Sequence, residues 1–137
     1  MLPELPKTLN KREAKWTTAK LKSWVLDHEN FPGGPIEAKQ TTKDYLNFKE
    51  VSESQRADLL ACTTKRGFWW KVADMGRKNA FDVVFYRNSP AWVAIKYPQG
   101  FVIISIQEYI REMGESTRKS LTWDRAIDIS HICIPTR

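Results

Sequence analysis

Cysteine and histidine are scarce in this chain, two of each in 137 residues. Cys62 and Cys133 fit no metal-ligand spacing, so two reduced, buried thiols in a cytosolic protein are expected. His28 and His131 have no cysteine or acidic partner at ligand spacing and read as surface or satisfied histidines, not catalytic ones. No apolar run approaches the ~20 residues of a membrane span, and no charged-then-apolar signal segment opens the chain. Neither a Walker nor a Rossmann phosphate loop is present, since Gly33-Gly34 is only a turn. A nucleophilic serine elbow is also missing. Internal repeats and low-complexity tracts are lacking too. These absences exclude a membrane protein, a zinc module, a nucleotide-loop enzyme and a serine hydrolase of the elbow type.

What is there belongs to one globular domain: 42% hydrophobic and 12% aromatic residues, with enough length for one core. The net charge of +6 favours polyanions, of which nucleic acid is the commonest in the cytoplasm. Lys7, Lys11, Arg12, Lys15, Lys20 and Lys22 crowd the first segment, and Lys65, Arg66, Lys71, Arg77 and Lys78 the middle.

Helical spacing of Glu13, Trp16, Lys20, Trp24 and Asp27, with Leu21 and Val25, predicts a first helix capped by Thr8 or Asn10 and running to about His28. Phe31 to Pro35 breaks it. A short strand follows over 36–41. A second helix opens at Val51 to Ser54, capped by Ser52 or Ser54, and ends near Cys62 before Gly67. Strands are expected over 68–74, 81–87, 91–97 and 101–106, then a helix over 107–113, a last helix from Ser120 through Ile129 and a final strand over 131–134. The first strand and the one at Phe68 are separated by a helical crossover, which predicts a parallel pair. The fold class is therefore α/β, a mixed β-sheet flanked by helices.

Ile36-Glu37-Ala38-Lys39-Gln40-Thr41 is the most informative stretch. Residues two apart on a strand project to one side, so Glu37 and Lys39 point together. A carboxylate can hold a divalent cation, and a neighbouring ammonium can position water or stabilise phosphate charge. An exposed ion pair on an edge strand is the structural alternative. Trp69-Trp70 beside Lys71 could form a base-stacking platform, but only one of two successive strand residues faces a given ligand, and core packing is preferred for both. Trp16 and Trp24 are expected to bury against the sheet. Lys11, Arg12 and Lys15 read either as a solvated helix face or as a lining for a phosphate backbone.

With Glu13 on the leading helix, the run Glu37-Ala38-Lys39-Gln40-Thr41, Phe48 and Gln55 resembles the Holliday-junction resolvase-like branch of the PD-(D/E)XK nucleases, particularly small phage versions. The likeness extends more loosely through Lys71-Val72-Ala73-Asp74, Ala80-Phe81-Asp82 and Ser120-Leu121-Thr122. It implies a restriction-endonuclease-like core and Mg²⁺-dependent cleavage of DNA, with Mn²⁺ as a substitute ion. A homodimer gripping a branched junction in the host cytoplasm is implied as well. By the same resemblance Glu37 ligates the metal, Lys39 assists the water, Gln55 touches the metal site or the scissile phosphate, and Glu13 completes the site. Lys11, Arg12, Lys15 and Lys71 would contact DNA. The family also places an aspartate on a strand just before the Glu-x-Lys strand, and this chain has little room for that strand. Asp27, Asp74 and Asp82 are the candidates, and Asp74 is preferred because the Phe68 strand is expected beside the Glu37 strand. Two other classes stay open: a DNA-binding protein with this fold and no activity, and a basic protein-interaction module.

Overall fold

The computed structural model describes residues 18–71 and 83–135. Their elements run α1 (Thr18–Leu26), β1 (Ile36–Gln40), β2 (Tyr45–Asn47), a 3-10 turn (Phe48–Glu50), α2 (Glu53–Cys62), β3 (Phe68–Lys71) and β4 (Val83–Tyr86). Then come β5 (Trp92–Tyr97), β6 (Gly100–Ser105), α3 (Ile106–Glu115), β7 (Ser120–Thr122), α4 (Trp123–Ile129) and β8 (Ile132–Pro135). The fold is mixed α/β, with a mixed sheet flanked by helices. Among the described residues no helix is long and apolar enough to cross a membrane.

The four-stranded sheet has the order β1-β5-β6-β8. β1 runs parallel to β5, with Glu37 beside Val93 and Lys39 beside Ile95, and the remaining pairs are antiparallel. Every residue of β5 is buried. A strand covered on both faces belongs inside a sheet, which is why β1 takes it as its parallel neighbour. The expected partner, the Phe68 strand, does not pair with β1. It forms a separate antiparallel hairpin with β4, and its exposed Trp69 and Lys71 suit a peripheral ribbon with one wet face. Ser120–Thr122 is likewise not helical. It pairs with β2, and Thr122 caps α4 by accepting from the Arg125 amide.

Strand alternation divides the core in two. Ile36 and Ala38 of β1 join Leu21, Trp24 and Val25 of α1 on one face of the sheet. Each such fully buried aliphatic side chain contributes about 1.5–3 kcal/mol. The Trp24 ring sits 4.8 Å from Phe101, as expected of a core tryptophan, while Trp16 lies outside the described residues. The other face collects Val93, Ile95, Val102 and Ile104 with Leu59 and Cys62 of α2, Tyr109 of α3 and Ala126 of α4.

Two glycines set the geometry around β1 and β3. At Gly34, φ is +108° and a Cβ would lie 2.0 Å from the Pro90 carbonyl oxygen. The turn before β1 is thereby held against the start of β5, and the Trp92 indole donates to the Gly33 carbonyl at 2.8 Å. At Gly67, φ is +76°, and a Cβ would strike the Tyr86 carbonyl at 2.5 Å. Only glycine combines that backbone with that proximity.

Candidate active site

Glu37 and Lys39 leave β1 on the face opposite Ile36 and Ala38, the face that α2 covers. The connection to α2 is anchored by burial. Leu46, Phe48 and Val51 enter the core, and the Tyr109 hydroxyl donates to the Phe48 carbonyl at 2.8 Å. Phe48, part of the resemblance, is thus a packing residue that fixes where α2 begins.

α2 begins with a capping box. Ser52 Oγ accepts from the Gln55 amide N–H at 3.1 Å, and Gln55 Oε1 accepts from the Ser52 N–H at 2.9 Å. A box of this kind contributes about 1 kcal/mol. It also orients the Gln55 side chain. With Oε1 engaged by the cap, Nε2 is left to donate, and it donates to Glu37 Oε1 at 3.1 Å. Lys39 Nζ lies 3.5 Å from the same oxygen.

The Glu37 and Lys39 side chains are 14% and 23% exposed, so they are neither splayed into solvent nor sealed away. An ion pair so placed adds only about 1 kcal/mol to stability. Among the described residues both the Gln55 and the Lys39 contact fall on Oε1. Because the cap orients Gln55 as a donor, it is suited to hold the carboxylate or a phosphate oxygen. It is poorly suited to ligate a metal.

The structure therefore brings together three of the residues named from sequence: Glu37, Lys39 and Gln55. Glu13, Lys11, Arg12, Lys15, Asp74 and Asp82 lie outside the described residues. The topological reason for preferring Asp74 is overturned, because β3 is not the parallel neighbour of β1. Asp27 is exposed just past the C-terminus of α1, its N–H donating to Ser23 O, so it occupies no extended strand before β1. Lys71 is exposed on the β3–β4 hairpin, which is a sheet separate from the one that carries Glu37. Among the described residues no group of three or more His, Cys, Asp or Glu could hold a metal ion.

The two histidines stay peripheral. His28 accepts from the Asn30 N–H in a turn, and the exposed His131 packs its ring 5.0 Å from Trp92. Trp70 is buried, but Trp69 is 64% exposed, so core packing holds for only one of the pair. Its cross-strand partner Phe85, unnoticed in the sequence, is exposed beside it. Alternation and register together were the signal that could have found it.

A second acid–base cluster lies between α3 and α4. Glu112, itself buried, accepts from Arg125 Nε, and Arg125 Nη1 lies 3.6 Å from Asp128. Together with Glu108, Arg111, Glu115 and Ile129, these residues line a cleft of about 460 Å³.

Compared with the known protein families, the curated proteins and the solved structures, the chain matches none.

Proposed function

We propose that the chain is a metal-dependent endonuclease with a restriction-endonuclease-like core, hydrolysing phosphodiester bonds of DNA, branched junctions foremost. One observation carries the reading. Glu37 and Lys39 project from one strand face while the capping box of α2 aims the Gln55 amide at the same carboxylate.

Mg²⁺ is characteristically held by one or two carboxylates, with water and substrate phosphate oxygens filling the other positions. Glu37 fits the first requirement as a carboxylate only partly buried on β1, and the further carboxylate proposed is Glu13. When bound, the ion would supply Lewis-acid polarisation of the phosphate and a more acidic water. The chain's own part is then specific. Gln55 fixes the rotamer of Glu37 by donating to Oε1. Lys39 places an ammonium where negative charge builds on the phosphate and can orient the attacking water. Lys11, Arg12 and Lys15 are proposed to follow the DNA backbone. Cutting both strands of a junction symmetrically calls for two copies, so a homodimer acting in the cytoplasm is part of the proposal.

Incubating the purified chain with labelled four-way junction, linear duplex and single strand, in Mg²⁺ or EDTA, tests this. Metal-dependent cuts that vanish in Glu37→Ala and Lys39→Ala are expected. Salt-sensitive binding without cuts would replace the nuclease by a DNA-binding protein of the same fold. Absence of any DNA affinity would replace it by a protein-interaction module.

A further inference from the structure

The β3–β4 hairpin has two unlike faces. Phe68, Trp70 and Tyr86 pack inward against the main core. The outward face, by strand alternation, carries Trp69, Lys71, Val83 and Phe85, all exposed. The Trp69 and Phe85 rings meet across the strands at 5.1 Å and 57°. Single exposed apolar residues are ordinary, but a tryptophan left 64% exposed beside an exposed phenylalanine and valine makes a contiguous patch.

Charge says what that patch suits. Lys71 is on that face, and Lys65, Arg66 and Arg87, close in sequence to the ends of the two strands, are also exposed. Between residues 59 and 107 the sequence carries seven lysines and arginines against two acids, Asp74 and Asp82. Gly67 keeps the border close, since a Cβ there would lie 2.6 Å from the Phe85 ring and 2.9 Å from Arg87 Cβ. A second copy docked on this same face would bring Lys71 and Arg87 against their own counterparts, so self-association through this face is disfavoured. An aromatic surface with Lys71 on it and Arg87 at its border instead matches a strand whose bases are unstacked and whose phosphates are exposed.

We propose that the outward face of this hairpin binds unpaired nucleotides, a base stacking on Trp69 while Lys71 and Arg87 meet flanking phosphates. The proposal shares with the nuclease reading only its ligand class, nucleic acid, and needs no catalysis.

The test uses the full chain in EDTA with fluorescein-labelled oligothymidylate and a blunt duplex of equal length, read by anisotropy at several salt concentrations. Trp69→Ala is expected to weaken oligothymidylate binding about 5- to 100-fold and duplex binding far less, with Trp69→Phe restoring most of it. The double variant Lys71→Ala/Arg87→Ala should flatten the salt dependence by about 1.4 in log–log slope. On the wild-type chain, photocrosslinking to an iodouracil-substituted strand should label Trp69 or Phe85, a readout that survives if a variant fails to fold. Unchanged affinity in a folded Trp69→Ala chain, or crosslinks confined to other elements, would overturn the proposal. So would sedimentation showing a dimer that Trp69→Ala splits without altering affinity. A chain that binds through Trp69 but never cuts sinks the nuclease reading alone, and one that cuts but ignores Trp69 sinks this proposal alone.

Discussion

Glu37 and Glu112 are both largely buried carboxylates paired with a cation, yet their surroundings differ in kind. Glu112 faces Arg125, whose guanidinium stays charged at any relevant pH and whose second arm reaches toward Asp128 at 3.6 Å. That cluster ties α3 to α4 and is satisfied as it stands. Glu37 meets a carboxamide and an ammonium, both on one oxygen, with the ammonium at 3.5 Å. A primary amine is a mobile point charge that can exchange partners as a phosphate or a water arrives. The contrast teaches that pairing and burial do not by themselves mark a reactive carboxylate. On the proposed reading, the sign to look for is a carboxylate with a fixed rotamer and an exchangeable cation beside it.

Substitution can break this comparison most forcefully at the acids themselves. Glu37→Ala or Lys39→Ala should lower metal-dependent cleavage by about 10²- to 10⁴-fold in a gel assay. Glu112→Gln should leave cleavage within about twofold and instead lower Tm, by about 3.5 °C for each kcal/mol lost in a domain of this size. Equal loss of cleavage at both carboxylates would erase the distinction.

A finer contrast separates the cap from the donor. Ser52→Ala and Gln55→Ala each weaken the start of α2 by about 1 kcal/mol in urea unfolding. Only Gln55→Ala also removes the donor to Glu37, so only it should slow cleavage, by about tenfold if the donor contributes about 1.4 kcal/mol. Matching rates in the two variants would reduce Gln55 to a helix cap.

The smallest effect concerns a buried group with no proposed role in the chemistry. Burial, and then the negative charge of Asp58, pushes the Cys62 thiol from 9.0 up to about 11. A thiol whose folded pKa exceeds its unfolded value adds stability below the unfolded pKa, and that increment is lost as pH rises through the folded one. Tm should therefore decline between about pH 9 and 11. At pH 8 a disulfide reagent should modify Cys62 only as fast as the chain opens, and Cys62→Ala should blunt the alkaline decline.

How much was legible in the sequence follows how local each signal is. The Ser52 cap was readable because the box spans four consecutive residues. Glu37 and Lys39 on one face followed from alternation alone. Pairing was less accessible, because β1 skips the nearer strand for β5 and the reason lies in which strand is buried on both faces. The β2–β7 ribbon joins three-residue strands from distant parts of the chain, and nothing within either announces the other. Alternation separated Trp69 from Trp70 without saying that the outer side would stay uncovered. The reach from Gln55 to Glu37 depended on Phe48 and Val51 entering the core between them, a tertiary fact.

The most direct test of the central claim is anomalous diffraction from crystals of the full chain soaked in Mn²⁺. The account predicts a manganese peak at coordinating distance from the Glu37 carboxylate and absent from Glu37→Ala crystals. Manganese bound only elsewhere, with the Glu37 carboxylate still held by Lys39 and Gln55 alone, would contradict it.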